Sequence, residues 1–216
     1  MIPVGEDPQD TIQAIIKRSQ PQRSILSSVV DHSPALEELL SLNTKFHKLN
    51  HQTKLAFTSP VGKPETIGAD RLALAAAAVK FHPDKNNLVI GMGTCITYNF
   101  INKYHEFMGG SISPGLEMRL RSLKDYTAKL PLVKADNNVP LIGYDTNSNI
   151  LSGVVLGMAK EIDGFIDSYR EKYRNFNVVL TGGDIVYLAS HLKNKIFADP
   201  ELIFKGLYAI SEANNT

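Results

Sequence analysis

Short β-branched and aromatic runs alternate with longer segments of helical period along this chain, the pattern of an α/β protein. "DTIQAIIKRS" reads as a helix and "RSILSSVV" as a strand ending in a turn. "SPALEELLSL" reads as a second helix, opened by a Ser-Pro start signal with acids in its first turn. After a polar stretch, an almost pure alanine and leucine segment from about Asp70 predicts a buried helix, followed by the turn "HPDKNN". "NLVIGMGTCITYNFI" is apolar enough for a buried strand running into a hairpin, and a second domain is expected to begin there. Beyond it, Leu116, Leu120 and Leu123 fall on one helical face, and "NILSGVVLGMAKEIDGFIDSYREKY" predicts one long helix carrying a glycine-containing apolar stripe. "FNVVLTGGD" predicts a strand and a glycine turn, "IVYLASHLKNKI" a helix, and "LIFKGLYAISEA" finishes the pattern.

Composition changes this picture little. The 216 residues suffice for one large domain or two small ones, and 43% hydrophobic with 21% charged residues is ordinary for a folded protein. Lys and Arg total 23 against 22 acids, so the net charge of +1 makes no field to gather nucleic acid or a membrane surface. The single Cys95 excludes an intramolecular disulfide, and the opening "MIPVGEDPQD" has neither the basic nor the apolar region of a secretion signal, so cytoplasm is the expected location. Its longest apolar run, Leu72 to Val79, is far shorter than the roughly 20 residues that cross a bilayer.

Four glycine motifs, each expected in a loop after a strand or before a helix, stand where α/β proteins offer backbone N–H groups to anions. They are "GADR", "GMGTCIT", "GGSISPG" and "TGGD". A Gly-Gly pair alone is ordinary turn chemistry. His47 and His51 have the spacing of a metal pair but no third ligand nearby, and read as solvated; Cys95, inside an apolar run, reads as buried packing.

In order and spacing, "ETIGADRLALAAAA", "GTCIT", "GGSISPGLEMRLRSLKDYTAKLP", "IGYDTNSNILSGVVLG", "LTGGD" and "FKGLYAI" together resemble the type III pantothenate kinase family, from Ser27 to Ile210. The resemblance implies a two-domain actin-like ATPase fold (acetate and sugar kinase, Hsp70 and actin, with ribonuclease H-like domains). The first domain, residues 1–86, ends in the GADR helix and is incomplete; the second is 87–216. It also implies phosphorylation of pantothenate by ATP with Mg²⁺, in a homodimer. Asp70 would be the base that takes the proton of the pantothenate hydroxyl, and Arg71 a fork for its carboxylate, with Gly68 and Ala69 keeping the approach open. The competing assignment makes Asp70 a helix cap and Arg71 a solvated charge. Thr146 would touch pantothenate. Gly93 and Thr94 would meet the ATP phosphates, with Gly109, Gly110, Gly182 and Gly183 around the nucleotide. The alanine run is expected to be structural, letting its helix pack closely on a neighbour.

Departures from the family pattern carry expectations too. No "DxGNT" phosphate loop precedes "SILSSVV", so the sequence reads as a member lacking its first few dozen residues. The Asp that usually holds a monovalent cation, K⁺ or NH₄⁺, is Gly91, the Asp after the hairpin turn is Asn99, and the usual aromatic before GADR is Val61. A non-catalytic regulator, as in the family's association with Bvg accessory factor, is the alternative function. A sugar or acetate kinase is a third reading, disfavoured because GxDR and GGxIxPG are not signatures of those enzymes.

Overall fold

The computed structural model describes residues 8–28, 31–60 and 62–214; Val61, and the end of the first expected strand at Val29 and Val30, lie outside them. Helix α1 (Pro8–Ser19) leads to strand β1 (Arg23–Leu26), helix α2 (Pro34–Asn43) and strand β2 (Lys45–Lys48). The two strands pair in parallel, Arg23 opposite Lys45 through Leu26 opposite Lys48, with α2 as the crossover. Ser33 caps α2 by accepting from the backbone N–H of Ala35, and Pro34 sets its first turn. Strand β2, "KFHK", has no alternation of apolar and polar positions from which it could be read.

Helix α3 (Ala69–Phe81) is followed by a meander of β3 (Asn86–Met92), β4 (Cys95–Ile101) and β5 (Phe107–Pro114). Then come α4 (Leu116–Asp125), α5 (Thr146–Leu151), α6 (Gly157–Lys172), β6 (Phe176–Thr181), α7 (Ile185–Leu188), β7 (Phe197–Ala198) and α8 (Leu202–Ala213). The five-stranded sheet has the order β5-β4-β3-β6-β7, with β3, β4 and β5 antiparallel and β6 and β7 parallel to β3. An antiparallel meander extended by parallel crossover strands is the ribonuclease H-like arrangement.

The pleat sends alternate residues of β3 to opposite faces. Leu88, Ile90 and Met92 join one core with Leu116 and Leu120 of α4 and Met158 and Ile162 of α6. Val89 joins another core with α3, Val179 of β6, and Leu202 and Ile210 of α8. Being covered on both faces is why β3 reads as a continuous apolar run. Helix α3 is itself buried from Leu72 to Val79, which explains its composition. No helix among the described residues is long and apolar enough to cross a membrane.

Three expected elements take another form. "GGSISP" is strand β5 rather than a loop, because Ser111 to Pro114 pair with β4. The long helix runs on without a gap but widens to a π-helical turn at Ser152–Leu156, between α5 and α6. The helix over "IVYLASHLKNKI" stops after α7 and a 3₁₀ turn at Ala189–His191. There the buried Asp163 of α6 accepts from the backbone N–H groups of Lys193 and Asn194, both at 3.0 Å, and from Asn194 Nδ2 at 2.9 Å. Those bonds hold the chain away from a helical path.

Candidate active site

Gly68 is the N-cap of α3, so Asp70 lies within the first turn, where the helix dipole favours a negative charge, and is not the cap. Asp70 lines a cavity of about 510 Å³ together with Thr94, Thr97, Gly182, Gly183 and Phe204, and among the described residues it is the one carboxylate on that lining. GADR, GMGT and TGGD therefore meet at one place, although they lie far apart in the chain.

The turn Gly93–Thr94 between β3 and β4 is clamped by two glycines. A Cβ on Gly115, at the start of α4, would lie 2.0 Å from the carbonyl oxygen of Gly93, and one on Gly182 would lie 2.0 Å from that of Met92. Gly182 also has φ +107°, which other residues rarely adopt. Gly115 further donates its N–H to the Thr94 carbonyl at 3.0 Å. These contacts preorganise a glycine turn with one hydroxyl beside it, suited to phosphate oxygens. The motif "GGSISPG" contains Gly115, but only its first two glycines were given a role; the requirement at Gly115 arises from backbone contact across the fold.

The same turn also opens on a second cavity of about 510 Å³, lined among others by Glu117, Met118, Arg121, Tyr126 and Asp184. Burial raises the Asp184 carboxyl above its ordinary value; the Leu116 N–H opposes that shift, and nearby Glu117 adds to it.

Arg71 points away from that lining. Its Nε donates to Asn99 Oδ1 at 2.7 Å and its Nη2 to the Tyr98 carbonyl at 3.4 Å, with the guanidinium 5.4 Å from the Phe107 ring centroid. Burial lowers its pKa, opposed by Asp70, yet an arginine stays charged. The solvated assignment of Arg71 thus does not hold. Ala69 is buried in the α3 core.

Other residues fall elsewhere. Gly109 and Gly110 line neither cavity, because they sit within β5 at a register irregularity. A Cβ on Gly110 would lie 1.8 Å from the Tyr98 carbonyl oxygen, so strand packing accounts for it. Thr146 lines a different cavity, with Arg119 and Asn149. There Arg119 donates to Glu161 at 2.5 Å, and Tyr98 donates to the other oxygen of that carboxylate at 2.9 Å. Cys95 is not buried packing; it is partly exposed and lines the cavity beside Asp70. His47 is hydrogen-bonded to Thr53 at 3.0 Å, while His51 is exposed.

Two ions are implied by the resemblance. Mg²⁺ bound through nucleotide phosphates requires only one or two protein carboxylates. Asp184, on the cavity at the other side of the turn, is of the right chemistry for that and leaves Asp70 free, and no cluster of three His, Cys, Asp or Glu suited to a metal occurs among the described residues. For the monovalent cation, position 91 offers no side-chain oxygen: a Cβ there would lie 2.8 Å from Thr97 Oγ1 and 3.1 Å from Leu74 Cδ1, so a larger residue would have to displace those side chains.

Comparison with known proteins decides the family. The sequence profile of type III pantothenate kinase matches residues 8–168. The chain belongs to the type III pantothenate kinase family. A relative from Christiangramia forsetii carrying that name is 44% identical over 195 residues, covering 90% of this chain and 80% of its own. Another from Cytophaga hutchinsonii, named likewise, is 42% identical over 207 residues, covering 95% and 86%. The crystal structure of a Campylobacter jejuni protein assigned to the Baf family of transcriptional activators superposes with a TM-score of 0.58 at 23% identity, over 86% of this chain and 81% of that one. That likeness concerns the fold alone, and the regulatory alternative is not favoured by relatives of higher identity that are named as kinases.

Proposed function

We propose that the chain transfers the γ-phosphoryl group of ATP to the hydroxyl of pantothenate, giving ADP and 4′-phosphopantothenate, the first step of coenzyme A biosynthesis. The observation that carries this reading is Asp70 facing the Gly93–Thr94 turn across a single cavity. Phosphoryl transfer needs in-line placement of attacking and leaving oxygens more than strong base chemistry. With the phosphates on the clamped turn, the acceptor hydroxyl takes the Asp70 side, and the nucleoside takes the cavity of Arg121, Tyr126 and Asp184. The hydroxyl oxygen forms the new P–O bond as the bond to ADP breaks, and its proton passes to Asp70. Mg²⁺ on the phosphates supplies charge neutralisation when bound.

The same reading takes the chain as a cytoplasmic homodimer. Leu141, Ile142 and Tyr144 are 77%, 83% and 83% exposed and stand just before Thr146, an apolar strip of the kind that a second copy covers. Because Thr146 lines a different cavity from Asp70, it meets pantothenate in this reading only from the partner.

Incubation with ATP, Mg²⁺ and pantothenate, followed by mass spectrometry, tests the reaction. Formation of 4′-phosphopantothenate is expected. ATP consumed with pantothenate left unmodified would contradict it.

A further inference from the structure

Thr146 and Asp70 belong to elements packed on opposite faces of the five-stranded sheet. Ile150 and Leu151 of α5 join the core of α4 and α6, whereas α3 joins the core of α8. The stretch 126–145 that leads to Thr146 forms neither helix nor strand. An exposed strip on such a stretch would lose conformational freedom when a second copy docks, which weakens association unless the strip is ordered beforehand.

The order comes from Ser148. Asp145 is the N-cap of α5, and its carboxylate accepts from the Ser148 backbone N–H at 2.7 Å and from the Ser148 hydroxyl at 2.6 Å. The same hydroxyl oxygen accepts from the backbone N–H groups of Tyr144 at 2.9 Å and Asp145 at 3.0 Å. One hydroxyl thus gives its proton to the cap and takes two N–H groups from the strip, which uses its whole capacity. Two further ties reach back from the helix. The Ser152 hydroxyl donates to the Leu141 carbonyl at 3.0 Å, and a Cβ on Gly143 would stand 2.4 Å from the Asn149 backbone nitrogen.

A capping box needs only the reciprocal exchange between Asp145 and Ser148. The ties at Leu141, Gly143 and Tyr144 lie outside that exchange and fix the strip itself. Ser148 is buried, while Asp145 and Thr146 are exposed, so its hydroxyl acts through those two residues rather than on a ligand.

We propose that Ser148 is a positioning residue: it fixes the Thr146 hydroxyl and the Leu141–Tyr144 strip as one preformed element, and thereby sets the affinity for pantothenate at the Asp70 of the second copy. The proposal rests on the kinase reading above for the substrate and for the action of Thr146 across the dimer.

Steady-state kinetics on the whole chain tests the geometry. Ser148→Ala is expected to raise KM for pantothenate about five- to tenfold, the worth of a single hydrogen bond, with kcat and KM for ATP close to the parent's. A poorly folded variant loses active protein and so apparent kcat, not KM; a fall in kcat with KM unchanged would therefore overturn the role. Asp145, being exposed, gives a second pair. Asp145→Ala is expected to raise the same KM, and Asp145→Asn, whose amide oxygen still accepts from Ser148, to recover it. Equal rises in both would put the Asp145 charge itself on the substrate and overturn the positioning role.

Mixed dimers test the action across subunits. Asp70→Asn and Ser148→Ala chains carrying different tags are co-expressed, and the mixed pair is purified through both tags. One of its two sites combines an intact Asp70 with Thr146 from the chain whose Ser148 is intact. The expected result is a parent-like KM with about half of the parent's kcat, as one of two equivalent sites requires. Turnover with only the raised KM would mean that Thr146 serves the Asp70 of its own chain, and would overturn the proposal. Calorimetry with pantothenate separates the two levels. A parent that neither turns over nor binds pantothenate removes the kinase reading and this proposal with it, whereas an active parent matched in KM by Ser148→Ala removes this proposal alone.

Discussion

Gly206 of α8 lies against Ala73 of α3 so closely that a Cβ on Gly206 would stand 1.9 Å from the Ala73 carbonyl oxygen. This contact joins the last helix of the chain to the helix that carries Asp70, and it explains why α3 is made of alanine. Gly206→Ala must push the two backbones apart. A destabilisation of about 3 kcal/mol is expected, the upper end for overpacking, read as a drop of several degrees in melting temperature. A melting point equal to the parent's would mean that α8 is not seated on α3.

Gly115→Ala acts on the phosphate turn instead. Its added methyl would overlap the Gly93 carbonyl, 2.0 Å away, and displace the turn that Gly115 also holds through the Thr94 carbonyl. A loss of ATP-analogue affinity of about tenfold or more is expected, in line with removal of a preorganised donor set. Calorimetry checks it, with pantothenate affinity as the comparison: a loss confined to pantothenate would misplace the nucleotide.

Glu161 provides a pH signature. Burial by itself raises this carboxyl, but hydrogen bonds from Arg119, Tyr98 and Ser113 outweigh it and leave the pKa below its ordinary 4.5. A depressed folded-state pKa adds stability above the unfolded value, which is lost as pH falls through the folded value. The parent is thus expected to lose melting temperature below about pH 4.5 more steeply than Glu161→Gln. At neutral pH the Gln variant is expected to be less stable by about 1–3 kcal/mol, the range for a broken charged hydrogen bond. Parallel pH profiles for the two proteins would remove the assignment.

Asp163→Ala would leave the backbone N–H groups of Lys193 and Asn194 without the carboxylate that bonds them. A cost of about 2–4 kcal/mol is expected for stranded buried donors. Faster hydrogen exchange at residues 192–194, with the α3 amides unchanged, is the accompanying signature.

The positions of α2, α3, β3, β4, α4 and β6 were legible because each depends on local pattern: a Ser-Pro cap, apolar periodicity, or a run covered on both faces. Asp70, Gly93, Thr94, Gly182 and Gly183 were brought together as the motifs implied. What was illegible depends on partners distant in the chain. "GGSISPG" reads as a loop because glycines favour turns, yet Gly109 and Gly110 serve a strand irregularity opposite Phe100 and Asn99. Residues 185–196 keep a helical period, and Asp163, about thirty residues before the Lys193 and Asn194 N–H groups it bonds, draws the chain off that path. Cys95 looks interior because its neighbours are apolar, but as the first residue of β4 it lies at the mouth of the hairpin. A boundary at residue 86 places α8 with the second half, whereas its packing partner α3 belongs to the first.

Arg71 was legible as a candidate charge beside Asp70 but not in its setting. Nothing in "GADR" reveals that its partner is Asn99, because the two meet only once β4 lies beside α3. The neutrality of Gly91 and Asn99, read from sequence as two separate losses, is in the structure one connected arrangement through Thr97.

The central claim is that Asp70 takes the proton of the pantothenate hydroxyl, and pantothenate-dependent ADP release by the parent and by Asp70→Asn tests it most directly. The account expects turnover by the parent and a fall in kcat of about 10²–10⁴-fold in the variant, the range for loss of a general base, with ATP-analogue affinity retained. Equal turnover by the two proteins would contradict it.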